Sequence, residues 1–112
     1  MHVTFIESSL FTRLLGEYLT DDEYLDLQNT LASKPGSGKI ISGTGGLRKL
    51  RFALSSKAIG KRGGLRVIYY WYTSKNRIYL LTLYYKGETA DLTAREKTTL
   101  KQSMEVWKHE QT

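Results

Sequence analysis

Two apolar runs lie back to back past the middle of the chain, LRVIYYWY at 65–72 and RIYLLTLYY at 77–85, joined through Thr73-Ser74-Lys75-Asn76. Both have the composition of strands, and turn-forming residues bound them. Each is apolar on both faces over most of its length, the pattern of a central strand covered on two sides. Arg66 opens the first and Lys86 follows the second. In neighbouring antiparallel strands those two positions fall at the same end of the sheet.

The stretch leading into this pair, from Gly43 to Tyr70, carries Arg48, Lys49, Arg51, Lys57, Lys61, Arg62 and Arg66 and not one acidic residue. The run LRKLRFAL predicts a further strand. A period of two places Leu50, Phe52 and Leu54 on one face and Lys49 and Arg51 on the other, with Arg48 near the strand edge. A loop, SSKAIGKRGG, follows. Gly60, Gly63 and Gly64 give it conformational freedom, and Lys57, Lys61 and Arg62 give it charge. The formal charge of the chain is +6. No acid occurs between Ser42 and Gly87, whereas Glu7, Glu17, Asp21, Asp22, Glu23 and Asp26 cluster before them. Cations this dense repel one another, and a fold accepts them most readily when a polyanion neutralises them.

The flanking segments supply cover. HVTFIES alternates as a short strand. Ser8 or Ser9 caps a short helix through Leu10, Phe11, Leu14 and Leu15, weakened by Gly16. Thr20-Asp21-Asp22-Glu23 has the spacing of a capping box, and Tyr24, Leu27, Gln28 and Leu31 continue at helical spacing. Pro35 ends this helix at Lys34. Ile40 and Ile41 predict a short extended piece between two Gly-rich loops. Neither loop has the Gly-Lys-Ser/Thr order of a phosphate-binding loop, so Gly43–Gly46 is expected to be a tight connection. Asp91 or Thr93 caps a last helix whose stripe is Leu100, Met104 and Trp107. The order strand, helix, helix, strand, strand, strand, helix predicts an α+β domain: a small twisted, mainly antiparallel sheet with helices on one face.

The 112 residues suit one domain, 1–112. With no cysteine, disulfides and thiolate metal sites are ruled out. The N-terminus lacks a signal peptide's pattern, and no apolar run approaches the roughly 20 residues that span a bilayer. A cytoplasmic protein with no membrane association and no cofactor is expected. His2 and His109 lie far from any carboxylate cluster, which argues against a metal site, and no serine nucleophile turn is present. What remains is a cationic face beside many tyrosines, a pairing suited to RNA, where guanidinium holds phosphate and rings stack on bases. The plainer alternative is a solvated basic face, with Tyr69, Tyr70 and Trp71 in the core. If RNA is the ligand, cleavage is chemically open to such a face. The ribose 2'-hydroxyl is the nucleophile, and preorganised Arg and Lys stabilise charge building on the phosphate.

The run LRKLR…GKRGGLRVIYY…IYLLTLYYKGE…DL resembles the RelE/ParE toxin superfamily, and within it the HigB-like mRNA interferase branch. The resemblance spans almost the whole chain and is strongest from Gly45 to Leu92. It implies a microbial-RNase-like fold and a toxin of a type II toxin–antitoxin system. It also implies an endoribonuclease that cleaves mRNA in the ribosomal A site without a metal, leaving a cyclic phosphate and a free hydroxyl. The partners it implies are mRNA, the ribosome with its rRNA, and a cognate antitoxin, commonly a helix-turn-helix protein of HigA type. By position, Lys49 and Arg51 resemble the family's strand cations, Arg66 the arginine that stabilises the transition state, and Lys86 the cation after the following strand. Arg48, Lys57, Lys61 and Arg62 fall to RNA or ribosome binding. The sequence departs from the pattern where many members carry a catalytic tyrosine near the C-terminus. Asp91-Leu92 occupies that region and no tyrosine follows Tyr85, which leaves proton transfer to Lys49, Lys57, Lys86 or the ribosome. Two other functions stay open: a non-nuclease, protein-binding toxin of the ParE gyrase-inhibitor type, and a simple RNA-binding module.

Overall fold

The structure is a computed structural model and describes residues 2–53, 64–87 and 92–110. Its elements are β1 (Thr4–Glu7), α1 (Ser9–Tyr18), α2 (Asp21–Ser33), β2 (Lys39–Ile40), β3 (Leu47–Phe52), β4 (Leu65–Tyr72), β5 (Arg77–Tyr85) and α3 (Ala94–Glu110). A single 3₁₀ turn, Thr73–Lys75, joins β4 to β5, and Asn76 closes it in the left-handed region at φ 49°. The sheet has the order β1-β5-β4-β3-β2, with β4 and β5 inside it as their two-sided apolar pattern requires. β1 runs parallel to β5, and the other neighbours are antiparallel. A register shift between Ile68 and Tyr69 breaks the β4–β5 ladder.

Successive side chains of β4 go to two different cores. Leu65, Val67 and Tyr69 join Leu50 of β3 and pack on Phe11, Leu19, Leu27 and Leu31 from the α1–α2 layer. Ile68 joins Leu47 and Tyr79 in the second core, under Met104, with Tyr70, Leu100 and Trp107 packed around it. The helices therefore lie on both faces, α1 and α2 on one and α3 on the other, and not on one face as the element order predicts. The two-sided apolar pattern of β4 and β5 is the physical reason: a single helical layer would leave Ile68, Tyr79 and Leu81 in water.

The helix starts follow local chemistry. The Ser8 hydroxyl accepts from the Phe11 N–H at 2.9 Å and donates to the Leu81 carbonyl at 2.8 Å, so one side chain caps α1 and ties it to β5. Thr20 and Glu23 complete a reciprocal capping box on α2. Thr93 and Glu96 do the same on α3, with bonds of 2.8 and 3.1 Å, which selects Thr93 as the cap. Between β2 and β3, Gly43, Gly45 and Gly46 all take positive φ, and the buried Thr44 hydroxyl bridges the Ile41 carbonyl and the Leu47 N–H. The connection is tight, as the glycines predict. No helix among the described residues is long and apolar enough to cross a membrane.

Candidate nucleic-acid interface

Strand parity sorts the cations. On β3, Lys49 and Arg51 share a face with Leu47, the α3 side, while Arg48 shares the opposite face with Leu50. The antiparallel registers then line up two rows on the α3 side. One row is Lys39, Lys49, Ile68 and Thr82, across β2, β3, β4 and β5. The other is Arg51, Arg66 and Tyr84, across β3, β4 and β5. Each row contains two like charges directly opposite one another, Lys39 against Lys49 and Arg51 against Arg66. Cross-strand like-charge pairs at this spacing are destabilising.

Arg66 is the most enclosed member, only 4% exposed. Its Nη1 donates to the Gly64 carbonyl at 3.2 Å. The Lys86 N–H donates to the same carbonyl at 3.4 Å. Gly64 thus joins the start of β4 to the end of β5, and Lys86, itself exposed, stands at the Arg66 end of the sheet, as the strand pairing predicts. Tyr84 is buried directly opposite Arg66.

Arg48 is elsewhere. Its Nη1 donates to the Gly38 carbonyl at 2.8 Å and to the Gly36 carbonyl at 3.2 Å. Tyr69, on the same face, donates to the Pro35 carbonyl at 2.6 Å and accepts from the Gly38 N–H at 2.9 Å. Burial raises the Tyr69 phenol above its ordinary range, while the Gly38 N–H, Ser37 and the Arg48 charge pull it part of the way back. Arg48 is a fastener of the loop between α2 and β2 and does not stand beside Lys49, Arg51 and Arg66. Lys57, Lys61 and Arg62 lie outside the described residues, as do Leu54 and Asp91.

Sequence reasoning missed Lys39, Lys97 and Tyr84. Lys97 of α3 lines one open groove with Lys39, Lys49 and Arg51. Lys39 was legible only through its register with Lys49, and Lys97 only through the crossing of α3 over the sheet. The aromatics resolve toward packing. Tyr69 and Tyr79 are fully buried, and the Trp107 ring sits 4.6 Å from that of Tyr79. Tyr70 is half-buried beneath the Lys108 ammonium, 5.5 Å from the ring centre.

A five-stranded mixed sheet with two helices on one face, one on the other and cations along the second defines an α+β fold of RelE type. No family model matches the sequence. Among solved structures the chain is similar to the toxin RelE of E. coli, determined as a double arginine-to-alanine mutant in the free state. The TM-score is 0.52 at 15% identity, over 80% of this chain and 90% of that one. A likeness at that identity is one of fold.

Proposed function

We propose that the protein is the toxin of a type II toxin–antitoxin system and a ribosome-dependent endoribonuclease of the HigB-like branch, acting on mRNA in the A site. The observation that carries this reading is the second row: Arg51 and Arg66 directly opposite one another on one sheet face, with Lys49 beside them and Lys86 at the same end. A phosphate seated between the two guanidinium groups would take charge-assisted hydrogen bonds from both.

In the reaction, the ribose 2'-oxygen attacks the adjacent phosphorus and gives its proton to a base. The bond from phosphorus to the 5'-oxygen breaks, and that oxygen takes up a proton. A 2',3'-cyclic phosphate and a 5'-hydroxyl remain. Arg66, buried and held by the Gly64 carbonyl, is preorganised to stabilise the extra charge on the phosphate. Lys49 and Lys86 are the groups assigned to proton transfer, and Arg51 positions the phosphate. Acid-bearing α2 packs on the opposite face of the sheet from these cations, and its solvent face is open to an antitoxin of helix-turn-helix, HigA-like type.

The test is a purified translation system in which mRNA cleavage is mapped at the A-site codon. Wild-type protein is expected to cut there, and Arg66→Ala to cut about 10²–10³ times more slowly, the loss typical of one oxyanion-stabilising donor. Intact mRNA together with inhibited gyrase supercoiling would overturn the nuclease reading in favour of a ParE-type toxin.

A further inference from the structure

β2 is two residues long and pairs only with Arg48 and Lys49, so it stops short of the second half of β3. An open groove of about 830 Å³ runs along that edge. It wraps the sheet edge: its walls bring Lys39 from β2 and Lys97 from α3 to Lys49 and Arg51, with the hydroxyls of Ser37, Ser42 and Thr30 of α2 and apolar surface from Leu50 and Phe52 in the remaining lining, and no described acidic residue takes part. Lys39 is exposed. The Lys39–Lys49 row and the Arg51–Arg66 row lie two residues apart on β3, about 7 Å at roughly 3.4 Å per residue. One nucleotide of a flexible single strand covers that distance.

We infer that the β2–β3 edge groove is a second phosphate subsite for single-stranded RNA, in which Lys39 and Lys97 hold the backbone next to the phosphate bound by Arg51 and Arg66. The inference rests on reading the α3-side face as an RNA surface. Two features favour RNA as the occupant. The like-charged rows are continuous with one another, and the groove sets ammonium groups and hydroxyls beside apolar surface, a combination that meets both the backbone and the bases of a single strand. Lys39 and Lys97 are positioning residues here: they fix where the strand lies and leave the reacting atoms to Lys49, Arg51, Arg66 and Lys86.

The probes are 2'-O-methyl oligouridylates, which bind without being cut because the nucleophile is blocked. A dinucleotide reads the Arg51–Arg66 row, and a hexanucleotide reads both. Binding is followed by NMR titration across a salt series, and cleavage of translated mRNA is assayed in parallel. Wild-type protein is expected to bind the hexanucleotide more tightly, with amide shifts at Lys39, Ser42 and Lys97. In the Lys39→Gln/Lys97→Gln variant, the slope of log affinity against log salt should fall by about 1.4 for the hexanucleotide, twice the roughly 0.7 per phosphate of a single strand. An unchanged slope, or a wild-type protein that does not distinguish the two lengths, overturns the subsite whatever the cleavage assay gives. A variant that loses binding to a heptaglutamate peptide while keeping its RNA length dependence assigns the groove to an acidic peptide and overturns the subsite as well. Loss of the length dependence in a protein that never cuts mRNA upholds the groove and removes the nuclease reading instead.

Discussion

Arg48 and Lys49 are adjacent in the chain and equal in charge, and they fall on opposite faces of the sheet. On the α1–α2 face, polar groups are spent on the fold. Arg48 and Tyr69 fasten the 35–38 loop through four hydrogen bonds. Glu7 accepts from Thr12 and from Tyr24, both at 2.6 Å, joining β1 to the two helices above it. On the α3 face, cations stand opposite cations: Lys39 against Lys49 and Arg51 against Arg66. Composition counts the two residues alike, whereas strand parity gives one to structure and the other to the surface.

The largest effect on stability is expected where that fastening is densest. Tyr69→Phe keeps the buried ring and deletes the hydroxyl, leaving the Gly38 N–H and the Pro35 carbonyl without it. Stranding buried polar groups costs about 1–3 kcal/mol each, so a clear fall in the urea midpoint is expected, with RNA binding intact at temperatures where the variant is folded. Adding bulk at the same place has a similar result. A Cβ at Gly38 would lie 2.8 Å from the Tyr69 ring and 3.1 Å from the Lys49 backbone. A paired experiment comes next in size. Arg48→Met should lower stability by about 1–2 kcal/mol, through lost charge-assisted bonds to two carbonyls, and leave the salt slope of RNA binding unchanged. Lys49→Met should lower the slope by about 0.7. If Arg48→Met lowers the slope by as much as Lys49→Met, the division by face is wrong.

Local chemistry was legible in the sequence wherever it depends on neighbours in the chain. The capping boxes at Thr20 and Thr93, the turn at Gly43–Gly46 and the pairing of Arg66 with the Lys86 end all follow from spacing. The single-layer expectation failed although β4 and β5 already carried the contrary signal, since an element order records no faces. The site was legible in part. Lys49 and Arg51 follow from parity within one strand, but Lys39 enters only through the register of a two-residue strand that ends at Ile40. Lys97 enters only through the packing of α3, by Met104, on the second core, which brings it to Lys39, Lys49 and Arg51 from far along the chain. Arg48 was placed near an edge, and nothing in its own sequence shows that two glycine carbonyls would claim it.

A smaller contrast separates the two helical layers. The Thr20 cap starts a helix buried through Leu27 and Leu31, and the Thr93 cap starts one that buries Met104 alone among its described residues. Thr20→Ala and Thr93→Ala each remove an N-cap acceptor worth about 1 kcal/mol. Both should lower the urea midpoint. Hydrogen exchange should show the Thr20→Ala loss spread over the global unfolding event, and the Thr93→Ala loss as local opening of α3. The same exchange pattern for both would show that the two layers unfold together.

The smallest expected effect comes from the acid-bearing face at alkaline pH. Burial, and then the hydrogen bond to Glu7 and its charge, push the Tyr24 phenol well above the ordinary tyrosine value of about 10. Above that value the unfolded chain gives up its proton while the folded protein keeps it. The stability from this group is therefore fully present below about pH 10 and declines as the pH rises toward the folded value. Tyr69 and Tyr79, both raised chiefly by burial, act in the same sense. The urea midpoint should consequently fall above about pH 10, and Tyr24→Phe should fall less steeply than wild type, even though the variant starts lower for want of the Glu7 bond. Parallel curves for the two proteins would mean that Tyr24 ionises as readily folded as unfolded. Glu7 would then be held by Thr12 alone, and the link from β1 to α2 would be weaker than its 2.6 Å bond implies.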